Sequence, residues 1–224
     1  MKKKVFLFGL LFSLLLLCGC GVNLTSTVKL NKDFSGTRVM SCTFSSRDFH
    51  SYFKGSKEDL TYTSSSSDGN DTYTFYLRFS SLDDYKKKVR DLLNFSPEIT
   101  YEYGDSPFVN GLIYKENFTS KDLMTWLYTA LYEKKYIDKD SSSDLWDLKT
   151  TQISFLGKTY ETKDKININE MTYVPLSSID IDTITEKSGK LTRKIKFNIP
   201  QKTLDQNSGK IRSYFDRNDI TWEN

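Results

Sequence analysis

The sequence predicts an α+β fold: an antiparallel sheet built from successive β-hairpin–helix units, with the helices mainly on one face. Short runs in which apolar and polar residues alternate are joined by turn-forming residues, as in antiparallel hairpins. Several of these pairs are followed by stretches whose apolar residues recur at helical spacing. Aromatic residues make up 14% of the chain, which suits a sheet-rich core. Helices gathered on one face of an antiparallel sheet define the α+β class.

The first unit is predicted between residues 27 and 53. Residues 27–30 and 38–44 alternate in polarity, and the turn sequence "KDFSG" (32–36) lies between them. Residues 45–53 then carry aromatic side chains at helical spacing. The pattern therefore indicates a strand, a tight turn, a second strand and a helix.

The second unit begins at residue 60. Residues 60–64 and 72–79 are predicted strands, and the polar sequence "SSSDGND" (65–71) is the turn between them. Ser81 and Asp84 have the spacing of a capping box, in which a hydroxyl and a carboxylate bind free amides at a helix start. The helix that follows carries one apolar stripe, made by Leu82, Tyr85, Val89, Leu92 and Leu93.

The remaining chain repeats this order with more strands. Strands are predicted at 98–103 and 112–118, followed by a helix opened by Ser120 that spans residues 120–133. Further strand-like runs lie at 150–157, 165–169, 177–185 and 191–199. Pro200 suits the first position of a helix, where its missing amide hydrogen costs nothing, and a short strand is expected near residues 220–222.

The first twenty residues have the features of an export signal. Three lysines precede the apolar run 5–17, which is shorter than the roughly 20 residues that a membrane-spanning helix needs. The sequence Leu17-Cys18-Gly19-Cys20 follows, and it resembles the lipobox of bacterial lipoproteins. An ordinary secretory signal fits less well because the small-x-small cleavage site is missing. A transmembrane anchor is disfavoured by length.

The lipobox resemblance implies how the chain is processed and where it resides. In that family the cysteine thiol receives a diacylglyceryl group, and a signal peptidase cuts between the small residue and the cysteine. Here those residues are Gly19 and Cys20, so residues 1–19 are the expected signal peptide and Cys20 the lipidated first residue. Two acyl chains hold a protein firmly on its membrane. The expected location is the outer face of the bacterial cell membrane.

Residues 20–224 are expected to form an extracytoplasmic α+β domain, with a candidate subdivision near 138–150. The three lysines of the signal account for the excess of 32 basic over 29 acidic residues, so the rest of the chain is formally neutral and gives no support for a nucleic-acid partner. Cys42 would be the one unmodified cysteine, which excludes an intramolecular disulfide. Its place in an alternating run indicates a small buried hydrophobe.

The predicted helix 120–133 is the main candidate surface for a ligand or partner. Its apolar and aromatic residues cover more than half of the helix circumference, whereas one core contact requires roughly 100°. Loops or a second domain would shield the excess in the simpler interpretation. In the functional interpretation the helix forms one wall of an apolar groove. The candidate residues are Leu123, Trp126, Leu127, Tyr128 and Leu131.

The sequence offers no catalytic, metal or cofactor site. Residues 138–144 carry alternate acidic positions, but the sixth and twelfth positions of an EF-hand loop would be Ser143 and Lys149 instead of Gly and Glu. His50 is the single histidine, so multi-histidine metal sites are excluded. The nucleophile elbow, the P-loop and the dinucleotide fingerprint are missing from the sequence. An enzyme is therefore not expected.

The segment "STVKLNKDFSGT" directly after the lipobox resembles the start of the LppM-like lipoprotein domain of Gram-positive bacteria. That resemblance covers about 30 residues and implies an α+β domain on the outer face of the membrane, with glycolipid binding proposed for one branch of the family. Two functions follow as hypotheses. The first is a non-catalytic envelope module that binds an amphiphile or glycolipid. The second is an interaction or assembly lipoprotein that docks on another envelope protein.

Overall fold

The computed structural model describes residues 22–44, 60–93, 95–135 and 145–216. The described residues form a mixed fold of helices and strands that is dominated by mainly antiparallel sheets, and the sequence prediction is confirmed at this coarser level. The chain divides into two compact units. Unit 1 comprises residues 1–100 and 115–167, and unit 2 comprises residues 101–114 and 168–224.

Unit 1 is organised on a six-stranded sheet of order β3-β4-β2-β1-β7-β8. Strands β1, β2 and β4 bury alternate side chains, as expected when one face of a sheet carries the core, whereas the outer strands β3 and β8 have no buried side chain. The strands are β1 (Val22–Leu30), β2 (Gly36–Phe44), β3 (Thr61–Ser67), β4 (Asn70–Phe79), β7 (Trp146–Phe155) and β8 (Lys158–Thr162).

One strand pair departs from the antiparallel expectation. Strand β1 pairs with β7 in parallel, with Val22 opposite Trp146 and Leu30 opposite Phe155. The other described neighbours in this sheet are antiparallel. A parallel neighbour requires a long crossover, and here most of unit 1 lies between the two strands in sequence. Periodicity within each strand carries no information about this long-range choice.

The predicted turn 32–36 is confirmed. The backbone amide of Ser35 donates to Asp33 Oδ1 at 2.9 Å, and the side-chain amide of Asn31 donates to Ser35 Oγ at 2.9 Å. Phe34 has a positive φ of 63° and is nevertheless buried, with its ring 5.6 Å from that of Tyr85. The turn therefore adds an aromatic side chain to the core.

Helix α1 (Leu82–Leu92) follows β4 as predicted, with one change at its cap. Ser81 Oγ accepts from the Asp84 amide at 3.2 Å, which confirms the predicted hydroxyl cap. The Asp84 carboxylate accepts from the Ser80 amide at 2.9 Å, one residue before the expected partner. This hydrogen bond, more than any other cause, lowers the pKa of Asp84. Tyr85 packs on Phe79 with ring centroids 4.5 Å apart.

The predicted helix 120–133 is shorter than expected. A 3-10 helix (Asp122–Met124) leads into helix α2 (Thr125–Glu133). The amide and hydroxyl of Thr119 donate to Asp122 Oδ2 at 2.7 and 2.9 Å, while the N-cap residues Lys121 and Met124 make no side-chain cap hydrogen bond. Ser120 does not open the helix, because its hydroxyl is buried in hydrogen bonds to other elements.

Unit 2 contains the hairpin β5–β6, shorter strands and a terminal helix. Strand β6 pairs with β5 and β10 and also with β9, while β11 and β12 form a two-stranded sheet of their own. The elements are β5 (Ile99–Asp105), β6 (Val109–Glu116), β9 (Asn167–Asn169), β10 (Thr172–Tyr173), β11 (Ser178–Thr185), β12 (Leu191–Asn198) and α3 (Gln201–Tyr214). Pro200 precedes α3 as its N-cap residue.

Several sequence-based expectations fall outside the described residues. They are the lipobox with Gly19 and Cys20, the helix at 45–53 with His50, the acidic loop 138–144 and the strand near 220–222.

The boundaries between the two units lie at residues 100/101, 114/115 and 167/168.

Candidate functional site

Helix α2 turns its leucines inward. Leu127 and Leu131, together with Leu123 of the preceding 3-10 helix, are each at most 3% exposed. Their spacing of four residues places them on one side of the helix, which packs into the core of unit 1. These three predicted surface residues therefore anchor the helix, and any ligand or partner that approaches from solvent meets the residues flanking them.

Trp126 lies on one flank of this leucine line. Its ring meets Phe75 of β4 edge-to-face with centroids 5.5 Å apart. Tyr62, on edge strand β3, stands opposite Phe75 in the register, lies 6.0 Å from its ring and is 37% exposed. We call Tyr62, Phe75 and Trp126 the aromatic shelf. It joins helix α2 to the edge of the six-stranded sheet.

Tyr128 lies on the other flank. Its ring stacks on that of Tyr132 at 6.4 Å with an interplanar angle of 8°, and Tyr132 is 39% exposed. Residues two apart on a helix point about 200° away from each other, so Tyr128 and Trp126 belong to separate patches. The structure thus divides the predicted surface into a shelf, a tyrosine pair and a buried leucine line.

Edge strand β3 adds hydroxyl groups beside the shelf. All seven of its residues, Thr61–Ser67, are exposed, and five of its side chains after Tyr62 are Ser or Thr. Ser64 and Ser66 share the face of Tyr62, because side chains alternate along a strand. The Ser66 hydroxyl donates to Asp71 Oδ1 at 2.7 Å. The shelf therefore combines apolar rings with a row of hydrogen-bonding groups.

A charged network that the sequence did not reveal lies inside unit 1. Arg38 Nη1 donates to Glu116 Oε2 at 2.8 Å and to Tyr85 Oη at 2.5 Å, and the side chains of Arg38 and Glu116 have no exposure. The Tyr85 hydroxyl donates to Glu116 Oε1 at 2.8 Å. The sequence does contain one indication that Arg38 is buried: in β2 it alternates with the buried residues Met40 and Cys42 and so lies on their face of the sheet.

Hydroxyl groups complete the network. Arg38 Nη2 donates to Ser120 Oγ at 2.8 Å, and that hydroxyl donates to Ser26 Oγ at 2.7 Å. Burial, as the leading cause, raises the pKa of Tyr85, so the phenol stays protonated. The carboxylate of Glu116 already accepts from a cation and a phenol. These four groups, Arg38, Tyr85, Glu116 and Ser120, therefore satisfy one another inside unit 1, and none of them faces solvent as a general base.

Cys42 is buried, as predicted, and its Sγ lies 3.8 Å from the carbonyl oxygen of Tyr73. Burial raises the pKa of its thiol to about 12. The thiolate is the reactive form of cysteine, and with this pKa the thiol stays protonated at neutral pH. Cys42 is therefore unreactive and packs as a small hydrophobe.

Unit 2 contains a separate, open cleft of about 530 Å³. Asp105 and Lys210 contribute charges, and Asn110, Asn207 and Ser213 contribute amides and a hydroxyl. Pro107, Val174 and Tyr214 add apolar surface, so the lining of the cleft is mixed in character.

Among the residues that the structure describes, no group of His, Cys, Asp or Glu side chains is arranged to hold a metal ion. Within the same residues no helix is long and apolar enough to cross a membrane. No protein-family model, curated protein or solved structure matches this chain. The resemblance to the LppM-like domain therefore stays a prediction.

Proposed function

We propose that this chain is a bacterial surface lipoprotein, held at the outer face of the cell membrane by a lipid on Cys20. We also propose that it is a non-catalytic module that binds an amphiphile or glycolipid of the cell envelope. The binding surface in this proposal is the aromatic shelf together with strand β3. The observation that carries the binding role is the aromatic shelf, in which Tyr62 is 37% exposed and packs on the buried Phe75, directly beside a strand of hydroxyl side chains.

The position of the anchor agrees with a membrane-proximal role. Only Gly21 separates Cys20 from Val22, the first residue of β1. The Val22 amide donates to the carbonyl oxygen of Leu145 at 2.6 Å, so the chain enters the sheet at once. A lipid on Cys20 would hold unit 1 close to the lipid headgroups, where envelope amphiphiles are concentrated.

The chemistry of the shelf suits an amphiphile. Trp and Tyr offer large, rigid contact areas with little rotamer entropy to lose. The exposed parts of Tyr62 and Trp126 can cover an apolar chain or the apolar face of a sugar ring. Hydroxyls such as that of Ser64 can exchange hydrogen bonds with a sugar headgroup. The leucine line keeps helix α2 fixed, so the shelf is formed before a ligand arrives.

The anchor is tested by replacing Cys20 with alanine in the producing bacterium. The acylated protein is expected in the membrane fraction with the added mass of its lipid, and Cys20→Ala is expected to lack that mass. Cys18→Ala is the control, because Cys18 would leave with the signal peptide. A Cys20→Ala protein that keeps its normal mass and its membrane attachment contradicts the proposed anchor.

Ligand binding is tested by native mass spectrometry of the full-length protein extracted in detergent. A stoichiometric amphiphile is expected on the wild type and not on Trp126→Ala. Since Trp126 also packs on Phe75, Tyr62→Ser provides a milder change on the same shelf. Tyr173→Ala is the matched control, because Tyr173 is 61% exposed and belongs to unit 2. Equal ligand occupancy in all four proteins contradicts binding at the shelf.

Docking on another envelope protein is the second candidate function. The stacked pair Tyr128 and Tyr132 favours it, because exposed tyrosines are enriched at protein interfaces. Cross-linking in the producing cells is expected to capture a specific protein that Tyr132→Ala loses and Trp126→Ala retains. The reverse pattern, or no captured protein, contradicts this second function.

We further propose that the hairpin–helix segments act as structural units with their helices mainly on one face of the sheet. Phe75 and Phe79 are four residues apart in β4 and therefore share a face. Phe75 contacts Trp126 of α2 and Phe79 contacts Tyr85 of α1, which supports this arrangement for two helices of unit 1.

A further inference from the structure

The hairpin formed by β11 (Ser178–Thr185) and β12 (Leu191–Asn198), here called the ribbon, has two chemically different faces. On one face Ile179 stands opposite Phe197 and Ile181 opposite Ile195. On the other face Asp180 and Asp182 stand opposite lysines, and Ile184, which is 59% exposed, stands opposite Thr192. The separation follows from the period of two in both strands.

The apolar face of the ribbon is exposed. Ile179, Ile181 and Ile195 are 47–59% exposed, and Leu191 is 67% exposed. A two-stranded ribbon is marginally stable in water unless one face is covered. Four large aliphatic side chains on one face therefore indicate a surface that is completed by an external partner.

The base of the ribbon is fixed by aromatic packing. Phe197 stacks on Phe108 at 6.4 Å, with an interplanar angle of 9°, and its ring lies 5.0 Å from that of Phe215. These three residues all belong to unit 2. The packing holds one end of the ribbon, while its apolar face continues outward toward the turn at residues 186–190.

The charges of the ribbon favour an anionic partner. Asp180 faces Lys196 and Asp182 faces Lys194, so those charges offset one another across the strands. Nearer the turn the basic residues are Arg193, Lys187 and Lys190, with Glu186 as the acidic residue of that segment. Thr183, which is uncharged, stands opposite Arg193. Arg193 therefore lies on the apolar face between Ile195 and Leu191, and Lys187 and Lys190 lie in the adjoining turn, so the turn end of this face is basic.

We propose that the ribbon lies with its apolar face on an anionic lipid surface, as a second membrane contact in addition to the lipid on Cys20. Aliphatic side chains enter the headgroup region, while lysine and arginine side chains bind the phosphates. A second copy of the ribbon would bring an equally basic rim to the interface, whereas anionic headgroups supply the opposite charge. The inference rests on the proposed location at the membrane but not on acylation.

The experiment places a polarity-sensitive fluorophore on either face of the ribbon. Ile181→Cys marks the apolar face and Asp182→Cys is the matched control on the charged face. Both are made in the full chain with Cys18 and Cys20 replaced by serine. Cys42 does not react, because it is buried and the pKa of its thiol is raised to about 12. The apolar run 5–17 is the same in both proteins, so any contribution it makes to vesicle attachment is equal in the two.

In vesicles of phosphatidylglycerol mixed with phosphatidylcholine, the label at position 181 is expected to shift to shorter wavelength and to be quenched by brominated lipids. The label at position 182 is expected to keep the emission wavelength that it has in water. Pure phosphatidylcholine, or replacement of Lys187, Lys190 and Arg193 by glutamine, is expected to weaken the signal at position 181 roughly tenfold, since each cation contributes near an anionic surface.

Three results overturn the proposal. In the first, the label at position 181 is left in water in both vesicle types, and in the second the labels on the two faces respond equally. Alternatively, position 181 becomes shielded without vesicles as the protein concentration rises, which assigns the face to a second copy. Because Cys20 is already serine here, none of these results depends on the proposed lipidation, which is tested by mass and fractionation.

Discussion

The guanidinium of Arg38 and the carboxylate of Glu116 meet at 2.8 Å inside unit 1, where neither side chain is exposed. Charges are rarely buried unless they are paired and hydrogen-bonded. Here the phenol of Tyr85 and the hydroxyl of Ser120 supply further hydrogen bonds to the pair. The network joins β2 to α1 and to the segment between β6 and α2.

Removing one partner of this ion pair is expected to reduce the free energy of unfolding more than replacing both partners with apolar residues. Glu116→Gln leaves the Arg38 cation buried without its counter-charge, and should lower the free energy of unfolding by about 3–5 kcal/mol. The double variant Arg38→Met with Glu116→Leu should be less destabilised than Glu116→Gln alone, because no charge remains buried. Urea unfolding measures all three proteins. A double variant that is the least stable of them contradicts this interpretation.

Alkaline pH is expected to destabilise the protein partly through Cys42. The pKa of this thiol is raised from 9.0 to about 12 by burial, so the folded chain keeps a proton that the unfolded chain releases. Its contribution is fully present below pH 9 and is lost as the pH rises toward 12. The slope is about 1.4 kcal/mol per pH unit. Cys42→Ala should reduce the slope in urea titrations by one proton, and equal slopes would contradict the assignment.

The hydroxyl of Ser81 is expected to stabilise helix α1. Ser81→Ala removes the acceptor for the Asp84 amide and should cost about 1 kcal/mol in the free energy of unfolding. Ser80→Ala is the control, because the main donor of Ser80 to Asp84 is its backbone amide, which alanine retains. Similar losses for both variants in urea unfolding would show that the cap lies elsewhere.

Two glycines of unit 2 are expected to respond in opposite directions to alanine. At Gly111, φ is 127° and an added Cβ would lie 2.0 Å from the carbonyl oxygen of Glu170, so Gly111→Ala should cost more than about 1 kcal/mol. Gly209 lies inside α3, and a Cβ there meets nothing within 4 Å. Gly209→Ala should therefore gain about 0.5–1 kcal/mol from helix propensity. Thermal unfolding with a signal from unit 2 measures both, and shifts of the same sign would contradict the prediction.

Local features of this fold were predictable from sequence because they depend on neighbouring residues. The turn at Asp33 and Ser35, the cap at Ser81 and the alternation in β4 are all set within a few positions. Features that depend on distant partners were not predictable. Ser120 is a residue type that is common at helix caps, but its hydroxyl accepts a hydrogen bond from the buried Arg38 instead, and the neighbouring Thr119 donates to Asp122.

The candidate site shows the same division. The helix wheel identified Trp126 and Tyr128 as excess aromatic residues, but it could not show which side chains they contact. Trp126 packs on Phe75, whereas Tyr128 packs on Tyr132. Arg38 was placed correctly in a strand, yet its partner Glu116 lies 78 positions along the chain. The two faces of the ribbon follow from alternation alone, whereas their exposure required the structure.

The place of β1 between β2 and β7 has a consequence for biosynthesis. A chain emerges with its N-terminal end first. One side of β1 gains its partner β2 within a few residues, but the other side waits until residues 146–155 have been made. During that interval a row of amides and carbonyls is open to pairing with other chains. Chaperone protection of nascent chains should therefore be needed most before β7 emerges.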